Sequence, residues 1–185
     1  MLDMVMRQLR REVMTTLIVR DLTAHADFHE VVSTVTALAE ETVSAAVRVH
    51  SRKLAQRFGV PVGVSGEPQD LLVVGMGKLG GEELNVSSDI DLVFVYDEGG
   101  ETQAIGEFAS ARRQVTNHEF FDRLARRVIA SINEIDGTGF VFRVDMRLRP
   151  FGDSGPLVIS SAMLEEYLYL SLIHISEPTR LDVIS

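Results

Sequence analysis

The sequence predicts an α+β chain in which helices flank a small sheet and a pair of long helices leads. Two long runs at helical spacing precede residue 60, and three short apolar or alternating runs follow. A capped helix separates the second of these runs from the third. The 185 residues suffice for one well-packed domain, and 45% apolar with 24% charged residues is ordinary for a globular protein.

Leu2, Val5, Leu9, Val13 and Leu17 recur at helical spacing over residues 2–20, with Arg7, Arg10 and Arg11 between them. A second stripe, Val31, Val35, Leu38, Thr42, Ala45 and Val49, runs through residues 27–58 and stops at Gly59 and Pro61. Both stripes read as core and the charged positions as a solvated face. Gly59 to Gln69 is rich in Gly, Pro and Ser and reads as a loop. Leu71 to Val74 is a short strand, Asp89 to Tyr96 a second, and Asp97-Glu98-Gly99-Gly100 its turn. The polar stretch 99–115 has no period and reads as a surface loop. Thr116 and Glu119 have capping-box spacing, in which hydroxyl and carboxylate each accept from the other residue's backbone N–H. Phe120, Leu124, Val128 and Ile132 form the stripe of the helix they open, which ends near Gly137. Phe140 to Leu148 is a third strand, closed by Pro150 and the turn Gly152-Asp153-Ser154-Gly155, and a short helix follows from Ser161.

Eighteen basic against 27 acidic residues give a net charge of −9, which disfavours binding driven by nucleic-acid phosphates, so no nucleic-acid partner is expected. There is no cysteine, hence no disulfide framework or thiolate metal site. The longest uncharged apolar stretch near the start, Met14 to Val19, is too short for a signal-peptide core or a membrane span. A cytoplasmic protein with no membrane association is expected.

The chemistry concentrates in residues 75–91, where Gly75-Met-Gly77-Lys78-Leu-Gly80-Gly81 leads through Ser87-Ser88 into Asp89-Ile-Asp91. Alternate strand residues share a face, so Asp89 and Asp91 point the same way with Cα atoms roughly 6.5–7 Å apart. Ile90, Leu92 and Phe94 take the opposite face, toward the core. Two carboxylates so placed can hold divalent metal for displacement at phosphorus, although a lone Asp-x-Asp is commonly turn chemistry. The third strand adds Asp145, flanked by Arg143, Arg147 and Arg149 on one face, with Phe142, Val144, Met146 and Leu148 on the other. Three arginines beside one carboxylate, in an acidic chain, favour an anion site suited to phosphate over an exposed strand face carrying a salt-bridge ladder. The glycines Gly75, Gly77, Gly80 and Gly81, with Lys78, Ser87 and Ser88, read as a cradle for nucleotide phosphates.

Two rivals compete. Gly75-Met-Gly77-Lys-Leu-Gly80 matches the G-x-G-x-x-G of an NAD(P)-binding oxidoreductase domain, and Asp97 stands near the position of a ribose-binding acid. That fold needs a full helix before the next strand, and residues 81–88 allow only one or two turns. A catalytically inactive regulatory module of the same fold is the other rival. The P-loop pattern fails for want of Ser or Thr after Gly-Lys, and His25 and His29 read as a solvated helix end.

The segments Gly75-Met-Gly-Lys-Leu-Gly-Gly-Glu-Glu-Leu-Asn-Val-Ser-Ser-Asp-Ile-Asp-Leu92 and Phe142-Arg-Val-Asp-Met-Arg-Leu-Arg-Pro-Phe-Gly-Asp-Ser-Gly-Pro-Leu157 closely resemble the bifunctional glutamine synthetase adenylyltransferase/adenylyl-removing family. The likeness runs from about residue 1 to 167, and its wording is that of the N-terminal, deadenylylating domain. It implies a DNA-polymerase-β-like nucleotidyltransferase fold with a small mixed sheet. It also implies an activity in which phosphate attacks the adenylyl-tyrosine of glutamine synthetase and releases ADP, the reverse of ATP-dependent adenylylation. Asp89, Asp91 and Asp145 would then bind Mg²⁺, two ions being expected, with ADP or ATP and phosphate on the glycines, Lys78, the serines and the arginines. Glutamine synthetase would be the protein substrate, and the PII signalling protein a regulator of the full-length family.

The family is several times longer, so the chain is expected to be a fragment lacking the second catalytic domain. The likeness implies a helical segment over 1–60, a catalytic core over 61–167, and a non-native tail over 168–185 that does not dock on the core.

Overall fold

The computed structural model describes residues 1–176. Helices α1 (Leu2–Leu22) and α2 (Phe28–Phe58) form the leading pair. Asp27 caps α2 by accepting from the Glu30 N–H, and Gly59 ends it at φ +86°. A Cβ at Gly59 would lie 2.4 Å from the Gln103 carbonyl oxygen, so glycine is required there. On α2 the expected Val31, Val35, Leu38 and Thr42 are buried, and Val32, Ala39, Val43 and Ala46 join them because α1 and α4 (Asn117–Asn133) cover the helix from two sides.

The stripe on α1 differs from the expected one. Leu17 is buried and Leu2 and Val13 pack against the core as expected, but Val5 and Leu9 are exposed, and Met6, Arg7 and Met14 are buried instead. The inner face is thus broader on the side of Met6 and Arg7 than the stripe implied. The cause is that this face covers a loop rich in carbonyl oxygens, which draws arginine inward.

Among the described residues the strands are β1 (Val60–Gly63), β2 (Leu71–Met76), β3 (Ile90–Tyr96), β4 (Gly100–Gln103), β5 (Val144–Asp145) and β6 (Val158–Ser160). β2 pairs antiparallel with β3, and β3 pairs parallel with β5 and with β6, giving a mixed four-stranded sheet. β1 and β4 pair antiparallel as a separate ribbon, where loops were expected. Its strands of four residues each are too short to show alternation. It is held by Asn117, whose Nδ2 donates to the carbonyls of Val62 and Glu98. The expected strand 140–148 also shrinks to Val144–Asp145: Val141 and Phe142 turn their N–H groups to the Ile132 carbonyl, and the chain bends after Asp145. Leu148 is consequently exposed instead of lying on the apolar face. β6 has only three residues and was not foreseen.

Helix α4 begins at the expected N-cap, with Thr116 Oγ1 accepting from the Glu119 N–H. The reciprocal half of the box does not form, because the Glu119 carboxylate pairs with Arg123. The helix ends at Asn133, before Gly137. Its stripe of Phe120, Leu124, Val128 and Ile132 is fully buried. Ile90, Leu92 and Phe94 turn toward it from β3, in one core shared with α1 and α2. Val93 and Val95 face the other way and pack with Ile159 of β6 and with Leu164 of helix α5 (Ser161–Ser176). Each buried aliphatic or Phe side chain contributes about 1.5–3 kcal/mol, so α2 and α4 fix the sheet's inner face firmly. Leu168, Tyr169 and Leu170 are exposed, and residues 177–185 of the expected tail lie outside the described residues.

Candidate active site

Between β2 and β3 the chain makes one turn of helix, α3 (Gly77–Gly80), and then a run of turns. The antiparallel β2–β3 pairing and this four-residue turn are incompatible with a dinucleotide-binding crossover, which joins parallel strands through a full helix. The oxidoreductase reading falls.

The glycines have separate reasons. Gly77 adopts φ +55°, and a Cβ there would lie 2.7 Å from Asp91 Oδ2. A Cβ at Gly75 would strike Leu79, and one at Gly80 would meet the Gly75 carbonyl oxygen at 2.5 Å. Those two glycines therefore let α3 sit down on the end of β2, with Leu79 in the core. Gly81 meets only ordinary contact.

Leu84 is fully buried and pins the middle of the exposed loop. Beyond it Asn85 Oδ1 accepts from Ser87 N–H (3.2 Å), Ser87 Oγ (3.3 Å) and Ser88 Oγ (2.8 Å). Lys78 Nζ donates to Ser88 Oγ at 3.4 Å. The predicted Lys78, Ser87 and Ser88 are thus brought together, by an asparagine that the sequence reading did not single out. Its signal was the Asn-x-Ser-Ser spacing of a side-chain turn.

In the β3–β5 register Asp91 stands opposite Asp145, with Asp89 one step before β3. Arg143 bridges the halves, its Nε donating to Asp89 Oδ1 at 2.5 Å and its Nη2 to the Ser87 carbonyl at 3.2 Å. Arg147 Nε donates to Asp145 Oδ2 at 2.8 Å. Arg149 instead turns back to the Met146 carbonyl (2.9 Å) and supports the bend. Asp89 and Asp145 are therefore each engaged by an arginine, and among the described residues no three ligating side chains converge as a preformed metal group.

The electrostatics couple the three acids. Burial, and then the charge of Asp145, push the Asp91 carboxyl above its usual range, with Asp89 adding to the effect. The Arg147 guanidinium holds Asp145 below that range. Negative charge on Asp91 is thus disfavoured in a partly desolvated spot, and the guanidiniums beside it are exposed. Such a cluster can accept a divalent cation and a phosphate group.

A cleft of about 980 Å³ lies on the other face of the sheet, between Ser44, Arg48 and Arg52 of α2 and Leu71 and Val73 of β2. None of the three acids lines it. His25 and His29 are exposed at the α1–α2 junction. No helix among the described residues is long and apolar enough to cross a membrane.

Residues 2–170 match the family model described as glutamate-ammonia ligase adenylyltransferase. The bifunctional glutamine synthetase adenylyltransferase/adenylyl-removing enzyme of Chromobacterium violaceum is 54% identical over 164 residues, 88% of this chain and 17% of the relative. The enzymes of the same description from Burkholderia mallei and Nitrosomonas eutropha are 53% and 50% identical over 165 and 169 residues, 89% and 90% of this chain. The chain spans about 17% of the length of each.

Proposed function

The chain belongs to the glutamate-ammonia ligase adenylyltransferase family, and from that premise we propose that it is the metal-dependent nucleotidyltransferase domain that removes AMP from a glutamine synthetase tyrosine. The observation that carries this reading is the register pair Asp91–Asp145, with Asp89 beside it and Arg143 and Arg147 at its edge. The mixed sheet, with Asp91 on β3, Asp89 just before it and Asp145 on a neighbouring strand, fits a DNA-polymerase-β-like fold.

The three acids fit a divalent cation chemically, because the charge of Asp91 is disfavoured by burial and then by its acidic neighbours and would be relieved by one. Asp89, Asp91 and Asp145 would hold Mg²⁺, as one or two ions, which supplies charge neutralisation at the phosphodiester. Arg143, Arg147 and Lys78 bind and orient the incoming phosphate and the AMP phosphoryl group, drawing their charge from exposed side chains that can swing off their present partners. An oxygen of inorganic phosphate forms a bond to the adenylyl phosphorus while the bond to the tyrosine oxygen breaks. The phenolate takes up a proton, and ADP leaves. ATP-dependent addition of AMP would use the same residues in reverse. By the same reading residues 61–167 carry the catalysis, 1–60 pack on it, 168–185 form a non-native tail, and the longer protein answers to a PII signalling protein.

The test is incubation of the chain with adenylylated glutamine synthetase, Mg²⁺ and phosphate, with ATP and unmodified glutamine synthetase as the opposite arm. ADP release that Asp89→Asn abolishes is expected. No ADP under conditions where a full-length relative consumes the substrate would favour the inactive-module reading instead.

A further inference from the structure

We propose that α1 is a positioning element for the site, in which Arg7, Arg10 and Arg11 clamp residues 134–142 and thereby hold Asp145 in register with Asp91. Positions 7, 10 and 11 share one helix face, being three and four residues apart. Arg7 is buried, donates to the Glu134 carbonyl at 3.0 Å and pairs with Asp136. Arg11 donates to the Thr138 carbonyl at 3.0 Å. The Arg10 guanidinium lies over the rings of Phe140 and Phe142, at 4.7 and 5.8 Å from their centroids. The three contacts together cover the whole connection from α4 to β5.

This connection needs holding from outside. β5 makes only two register pairs with β3, so the ladder by itself is a poor guard against slippage. A slip of one residue would turn Asp145 to the opposite face. The inner anchors are the Ile132 carbonyl, which accepts from Val141 and Phe142, and Asn133 Oδ1, which accepts from the Val144 N–H. The α1 arginines supply the outer anchors, satisfying loop carbonyls that an apolar helix face would leave unpaired. Asp136 adds rigidity by accepting from Thr138 N–H (2.7 Å) and Thr138 Oγ1 (2.5 Å).

The effect on catalysis rests on the function proposed above, whereas the clamp itself is measurable without it. Amide hydrogen exchange on the full chain is compared for wild type, Arg7→Met and Arg7→Lys, with Asp136→Asn as a milder variant at an exposed partner. In Arg7→Met and Asp136→Asn, exchange over residues 138–146 should quicken by about tenfold, while the β2 and β3 amides keep their wild-type rates. Arg7→Lys, which keeps the charge but not the forked donor, should fall between. Mn²⁺ affinity and ADP release should fall in the same order. Exchange that quickens equally across the sheet, or not at all over 138–146, overturns the clamp. If the wild type neither binds Mn²⁺ nor releases ADP, the proposed function fails, and the exchange data still decide the clamp.

Discussion

Gly77 sits at φ +55° with Asp91 Oδ2 2.7 Å from the place of a Cβ, so backbone conformation and acid placement are one constraint. Gly77→Ala would add about 1–2 kcal/mol of left-handed strain and push the carboxylate aside. A displacement of that kind is expected to lower turnover by about 10²-fold with the far-ultraviolet circular dichroism unchanged. Asp91 shows the other side of the same site. Its folded-state carboxyl is held above the ordinary 3.8, chiefly by burial and then by Asp145, so its ionised form weighs against the fold. The stability that Asp91 contributes is full at low pH and is lost as pH rises through its folded value. Asp91→Asn should therefore raise the melting temperature at pH 7, by an increment on the order of 2 °C, while abolishing activity. The gain should vanish in the acid range where the wild-type carboxyl is neutral. Asp145 has the opposite sign: Arg147 holds it low, so its contribution is present above its unfolded value and lost as pH falls through the folded one. A melting temperature that drops in Asp91→Asn at pH 7 would remove the electrostatic account.

Among the elements, the loop 81–89 is held on the core chiefly by Leu84, which is fully buried, with Val86 partly buried beside it. Leu84→Ala should cost about 2–5 kcal/mol in urea denaturation and should also loosen the Asn85–Ser88 turn. A loss below that range would mean that Val86 carries the loop's hold on the core. What the sequence disclosed follows the same division. α2 and α4 were legible because their stripes persist over many turns against one core. β3 was legible too, since its alternation separates Ile90, Leu92 and Phe94 from Asp89 and Asp91. The candidate residues Asp89, Asp91, Arg143 and Asp145 stood out because charge alternates with apolar residues along and just before these strands, and Lys78 because it lies in the glycine run. The inner face of α1 was not legible, because Arg7 and Arg10 count as solvent-facing until their partners at 134–142 are known. β1, β4 and β6 escaped because three or four residues carry no period. Arg149 was misplaced because alternation was extended past the bend that follows Asp145.

At the scale of the whole chain, a net charge of −9 surrounds a site whose rim carries arginines. Arg143 and Arg147 are matched there by Asp89, Asp91 and Asp145, so the site sets guanidiniums beside carboxylates and is not the broad basic surface that draws nucleic acid in general. The sheet that supports the site has two kinds of joint. β2 and β3 are joined by a short connection, whereas Arg143 and Asp89, at the parallel joint, are 54 residues apart with all of α4 between them. Loop closure is cheaper for the first joint, and long-range parallel pairing is slow to form. Refolding followed by pulsed hydrogen exchange should protect the β2–β3 amides before Val144, and simultaneous protection would refute that order. The mixed pairing of one strand thus gives the site a maturation sequence. The glycine turn and its two acids are built early as a local hairpin, and chemistry waits for β5 to dock from beyond α4.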